Sequence, residues 1–126
     1  MEINANSAWG GKREPAEIRD QALENVPRIA RLMALAIRIE GLIGERKVGD
    51  YAAVARLGRV TRARVTQIMK LLDLAPDIQE QILFLPAGTR LRERHLRPVS
   101  QLIDWTQQRR RFRELIGSLA VYGQGD

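Results

Sequence analysis

The stretch ARLGRVTRARVTQIMKLL, from Ala55 to Leu72, gathers Arg56, Arg59, Arg62, Arg64 and Lys70 without a single acid. Cations this close repel one another unless an outside anion answers them. The anions that suit the planar fork of arginine are phosphate and carboxylate. Between the cations run Val60, Val65, Ile68, Met69 and Leu72. Winding residues 61–72 at about 3.6 per turn puts Val65, Ile68, Met69 and Leu72 on one side. Ala63, Thr66, Gln67 and Lys70 fall on the other, with Arg62 and Arg64 at its edges. That outer face carries the chemistry of base recognition. Small side chains permit close approach, and the Gln67 amide can bond both edge groups of an adenine. Arg62 or Arg64 can reach guanine O6 and N7 or a neighbouring phosphate, and the Ala63 methyl can meet a thymine methyl. The base-facing candidates are therefore Arg62, Ala63, Thr66, Gln67 and Lys70. The phosphate candidates beside them are Tyr51, Arg56, Arg59, Thr61 and Arg64, helped by the open N–H groups of a helix starting near Thr61.

A second basic run, QQRRRFREL at residues 107–115, adds Arg109, Arg110 and Arg111 as phosphate candidates. The competing interpretation is a solvated face on a helix whose other side buries Trp105 and Phe112. Asp73, Asp77 and Glu80 separate the two basic regions. With a net charge of +6, this distribution points to a polyanionic partner.

The elements that must position these groups are helical. Ile29, Leu32, Met33, Ala36, Ile39 and Ile43 follow a helical period after Pro27, with Arg31 and Arg38 opposite and Glu40 inside the stripe. Asp50 suits the N-cap of a short helix ended by Gly58, and Thr61 suits the N-cap of the next. Pro76 opens a further helix to about residue 85. Residues 86–88 form a turn, and a last helix is expected from about 98 to 119. No strand alternation or internal repeat is evident. The expectation is an all-α fold, a small helical domain centred on a helix-turn-helix over about residues 50–72. Supporting helices flank it within a domain spanning 27–120. A polar tail over 1–26 allows a short helix in PAEIRDQALENV, and 121–126 reads as a frayed end.

Residues 55–82, ARLGRVTRARVTQIMKLLDLAPDIQEQI, resemble the helix-turn-helix domain of ParB- and KorB-type DNA-binding proteins. Val60, Thr61 and Arg62 match the family's VSR step, Leu71, Leu72 and Leu74 its LL.L, and Asp77 to Glu80 the helix that follows. RHLRPV, at His95 and Arg97, is similar to the family's GHARAL. The resemblance covers roughly residues 50–100 and implies duplex DNA as partner. Gly58 stands one place before the family's turn glycine, leaving Arg59 in that slot. GERK at Gly44–Lys47 imitates the family's nucleotide-binding box but lacks the domain that box belongs to, so neither CTP binding nor hydrolysis is expected. Residues 26–58 also resemble a module downstream of the catalytic domain in some serine recombinases of mobile elements.

Little else suggests chemistry. His95 is the only histidine and there is no cysteine, so no histidine cluster or thiolate can hold a metal. His95 reads as a capping or packing residue. Ser7, Ser100 and Ser118 have no base identifiable by spacing, and there is no glycine-rich phosphate loop. Neither enzymatic activity nor a cofactor is expected. No apolar run is long enough for a membrane span and the start is polar, so the expected setting is cytoplasmic, in a bacterium or phage-like element. The expected function is sequence-dependent DNA binding as a transcriptional regulator or mobile-element accessory protein. The alternative is an assembly module of a recombination or partition complex that docks on nucleic acid nonspecifically. Leu115, Ile116 and Leu119 are a candidate homodimer surface, while Trp105 and Phe112 are expected to fold back over the early helix.

Overall fold

The computed structural model describes residues 26–124, so all but the last residue of the expected tail over 1–26, and the final two residues, lie outside the described part. The described residues are all-α. Among them six helices follow in order: α1 (Arg28–Gly44), α2 (Tyr51–Gly58), α3 (Arg62–Met69), α4 (Pro76–Leu83), α5 (Glu93–Ser100) and α6 (Trp105–Gln124). A 3-10 turn, Lys70–Asp73, continues α3.

α1 begins one residue after Pro27, which stays extended and whose carbonyl accepts from the N–H groups of Ala30 and Arg31. Its buried stripe drifts around the helix, from Ile29, Leu32, Met33 and Ala36 to Leu35, Ile39 and Leu42. Glu40 is consequently exposed rather than inside the stripe, and Arg31 and Arg38 are half-buried rather than opposite it.

Side-chain oxygens start both short helices that follow. Asp50 Oδ1 accepts the N–H of Ala53 at 2.9 Å, and Thr61 Oγ1 accepts that of Arg64 at 3.0 Å. Each cap satisfies a first-turn donor that has no partner within its helix. α2 runs through Gly58, which is buried, and closes at Arg59, whose φ of 58° and ψ of 43° are left-handed. The Val60 N–H returns to the Ala55 carbonyl at 3.0 Å, completing a Schellman-type closure. The turn between α2 and α3 is therefore three residues long and tight.

Pro76 occupies the first turn of α4. In the connection that follows, Gly88 takes a positive φ of 83° and Thr89 closes the turn on the Pro86 carbonyl. The single helix expected over 98–119 is instead two. α5 starts at Glu93 and carries Pro98 within it, and a loop over residues 101–104 separates it from α6. Proline costs most where it removes an established helical bond. With Pro98 so near the end of a short helix, α5 stops two residues later. α6 reaches Gln124, past the fraying expected from residue 121.

α1 packs mainly on α4, α3 and the 3-10 turn, α2 packs on α3, and α5 on the 3-10 turn and α6. Met33, Val54, Ile68, Ile78 and Leu96, from five different helices, are all fully buried in one apolar cluster that also contains Phe112. Burying such an aliphatic side chain stabilises by about 1.5–3 kcal/mol. This core fixes the orientation of α3.

Two expectations for the last helix change. Trp105 remains 47% exposed while Phe112 is 3% exposed, because the inward position one turn before Phe112 belongs to Gln108. The principal cover of α1 comes from α4, α3 and the 3-10 turn rather than from α6. Leu115, Ile116 and Leu119 are half-buried against their own core.

Candidate nucleic-acid interface

Val65, Ile68 and Met69 turn α3 inward, so Arg62, Ala63, Thr66 and Gln67, with Lys70 just beyond, are all exposed. None of Arg56, Arg59, Arg62 and Lys70 has an acidic partner among the described residues. The Thr61 cap leaves the N–H groups of Arg62 and Ala63 without intrahelical acceptors, as at any helix start. Thr66 donates its hydroxyl to the Arg62 carbonyl at 3.1 Å. Toward a ligand it therefore offers a methyl group and oxygen lone pairs.

Arg64, expected at the outer edge, is instead turned toward the protein. It is half-buried, and its Nη1 lies 2.9 Å from Glu93 Oε2 and 3.3 Å from Gln67 Oε1. Glu93 opens α5 with a side chain only 14% exposed, and a carboxylate so withdrawn from water needs a cation beside it. Arg97, one turn on, lies 4.0 Å from the same oxygen. Tyr51 is also half-buried, packed against the core at the first position of α2.

The arginine run of α6 divides. Arg109 Nε donates to both carboxylate oxygens of Asp77, at 3.2 and 2.9 Å. That bond from Arg109 holds the Asp77 carboxyl below its usual range, and Asp77 raises Arg109 in turn. Arg109 thus ties α6 to the start of α4, through a pair that is itself partly exposed. Arg111 lies 3.5 Å from Glu114, both well exposed, and such a surface pair yields readily to another anion. Arg110 is exposed.

A cleft of about 160 Å³ between α3 and α5 brings Gln67 and Lys70 beside Arg97, Ser100 and Gln101. Arg97, which the sequence offers only within the RHLRPV segment, thus stands beside the end of α3. Residues 93, 97 and 101 repeat at helical spacing and share a face, but only the packing of α5 against the end of α3 brings that face to Gln67 and Lys70. A larger depression, about 510 Å³, lies where α1 and α5 begin and is lined by Arg28, Arg90, Arg92 and Arg94 with Thr89.

Compared with protein-family models, curated proteins and solved structures, the chain matches none of them. The likeness to the ParB and KorB domain rests on the quoted residues alone. No helix among the described residues is long and apolar enough to cross a membrane. What the geometry offers is one exposed, acid-free helix face, held by two capped helix starts and a tight turn, with an amide and several cations pointing outward.

Proposed function

We propose that the protein binds duplex DNA in a sequence-dependent manner, with α2 and α3 acting as a helix-turn-helix and α3 entering the major groove. The observation that carries this is the outer face of α3 and its continuation: Arg62, Ala63, Thr66, Gln67 and Lys70 are exposed together. A buried apolar side fixes their orientation. In this arrangement Arg62 and Gln67 read base edges, the Ala63 and Thr66 methyl groups accept close approach, and Lys70 answers a base edge or phosphate. Arg56 and Arg59, exposed on α2 and its turn, supply backbone contacts that set the docking angle. Arg97, across the cleft, extends the positive surface. The role is that of a transcriptional regulator or a mobile-element accessory protein.

Selection of bound sequences from random duplexes tests the proposal. A short consensus, protected in footprinting, is the expected result. Binding without any preferred sequence would favour the nonspecific assembly module instead. A lone helix-turn-helix reads few base pairs, so two copies on a near-palindromic site about one helical turn apart would strengthen binding. Leu115, Ile116 and Leu119 are half-covered by their own core and offer limited apolar surface for pairing. Sedimentation of the free protein and of the DNA complex decides whether copies pair.

A further inference from the structure

Two of the five exposed residues on the reading face have a polar end held within the chain: Thr66 by the Arg62 carbonyl, and Gln67 by a side chain, Arg64, that is itself anchored on another helix. Arg64 Nη1 carries two hydrogens, and the structure sets an acceptor against each: Gln67 Oε1 at 3.3 Å and Glu93 Oε2 at 2.9 Å. A guanidinium only donates, so Gln67 must turn its carbonyl toward Arg64 and its NH2 group away. Glu93 is the anchor, being 14% exposed and placed on α5, 29 residues along the chain from Arg64.

We infer that Glu93 and Arg64 are positioning residues that orient the Gln67 amide for adenine, so that preference at one base pair depends on a carboxylate outside the recognition helix. This rests on the DNA-binding proposal and deepens it. Without the relay, rotation of the terminal amide lets Gln67 present oxygen and nitrogen interchangeably and satisfy several base edges. Held as it is, Gln67 aims Nε2 at purine N7. The second lone pair of Oε1 remains available for the adenine N6 amino group, which completes the bidentate pair. Arg64 is then unnecessary as a phosphate contact. Its net charge is offset by Glu93, and its contribution is to fix the amide before DNA arrives, so that less freedom is lost on binding.

The experiment selects bound duplexes with the full-length protein and with Glu93→Ala, Arg64→Met and Gln67→Ala. Glu93→Ala and Arg64→Met break the relay from opposite ends, and circular dichroism and urea unfolding check that each variant folds. The expected result is a loss of discrimination of about tenfold at one base pair, the same one in all three variants. The rest of the consensus should be unchanged. Glu93→Ala should keep or raise affinity for unselected DNA, because an acid has left a basic surface. Added to Gln67→Ala, it should relax the consensus no further, since both act through one amide. A consensus that survives Glu93→Ala and Arg64→Met intact, or affinity falling equally for every sequence, overturns the relay while leaving DNA binding standing. An intact protein with no consensus overturns the DNA-binding proposal, and the relay with it.

Discussion

Gln108 is a buried polar side chain at 1% exposure, and its hydrogen-bond partners are all backbone groups. Its Oε1 accepts the Ala75 N–H at 2.8 Å, while Nε2 donates to the carbonyls of Asp73 and Leu102 at 3.0 and 2.8 Å. Gln79 completes the same loop by donating to the carbonyls of Leu72 and Leu74. Gln108→Ala strands a donor and two acceptors, so a loss of about 3 kcal/mol or more in urea unfolding is expected. Gln108→Glu keeps the shape but turns an anion toward two carbonyls. Its carboxyl should titrate higher in the fold than in the unfolded chain. The variant should therefore approach wild-type stability at acid pH and fall away as pH rises, which parallel unfolding curves will reveal. Arg59 provides a second test. Its left-handed φ of 58° strains any residue with a Cβ, so Arg59→Gly should unfold no more easily than wild type and gain up to about 1 kcal/mol. The bonds from Gln108 to Asp73 and Ala75 were not legible from spacing, since both partners lie more than thirty residues away. Thr61 and Asp50 were legible because a cap acts on N–H groups only two or three places along.

Helix α5 illustrates how an element can be half readable. Arg92 precedes it and has no acceptor to cap the first turn, but His95 Nδ1 reaches back to accept the Arg92 N–H at 2.9 Å. This is one arm of a capping box, with imidazole in place of the usual carboxylate or amide. Burial, and then the charges of Arg94 and Arg92, hold the imidazole below its usual value of 6.5. The unfolded chain therefore takes up the proton first. The stabilisation is complete above the ordinary imidazole range and is lost as pH falls through it to the lower folded value. Stability should decline over that interval in wild type, and His95→Gln, which accepts the same bond without titrating there, should flatten the decline. A capping or packing role for His95 could be expected because a lone histidine cannot form a histidine metal cluster. The start of α5 at Glu93 could not, since the last helix was expected to begin near residue 98, where proline suits a first turn. The pairing of Glu93 with Arg64 comes from the packing of α5 against the end of α3, which no local period encodes.

For the whole molecule, a charge of +6 and two separated basic regions make association with DNA an ionic-strength experiment. Each phosphate neutralised releases condensed counterion, so log affinity should fall against log salt with a slope of about −0.9 per contact. Lys70→Ala should reduce that slope by about one, whereas Arg109→Ala should leave it nearly unchanged, because Arg109 already faces Asp77. Removing residues 114–126 should lower the unfolding midpoint, since Leu115, Ile116 and Leu119 lean on the core and do not merely await a second copy. The all-α class was readable from caps, prolines and apolar period. The division of the arginines into open and internally paired was not, because like residues in a run look alike until the acids opposite them are placed.

The loop held by the two glutamines has a consequence for the clock of exchange with solvent. An irregular connection normally trades its amide hydrogens quickly, since small local openings suffice. The Ala75 N–H is buried beneath α6 and bonded to a side chain that is itself buried, so no small opening releases it. In deuterated water this loop amide should persist as long as those at the centre of α1, marking the moment at which the whole domain comes apart.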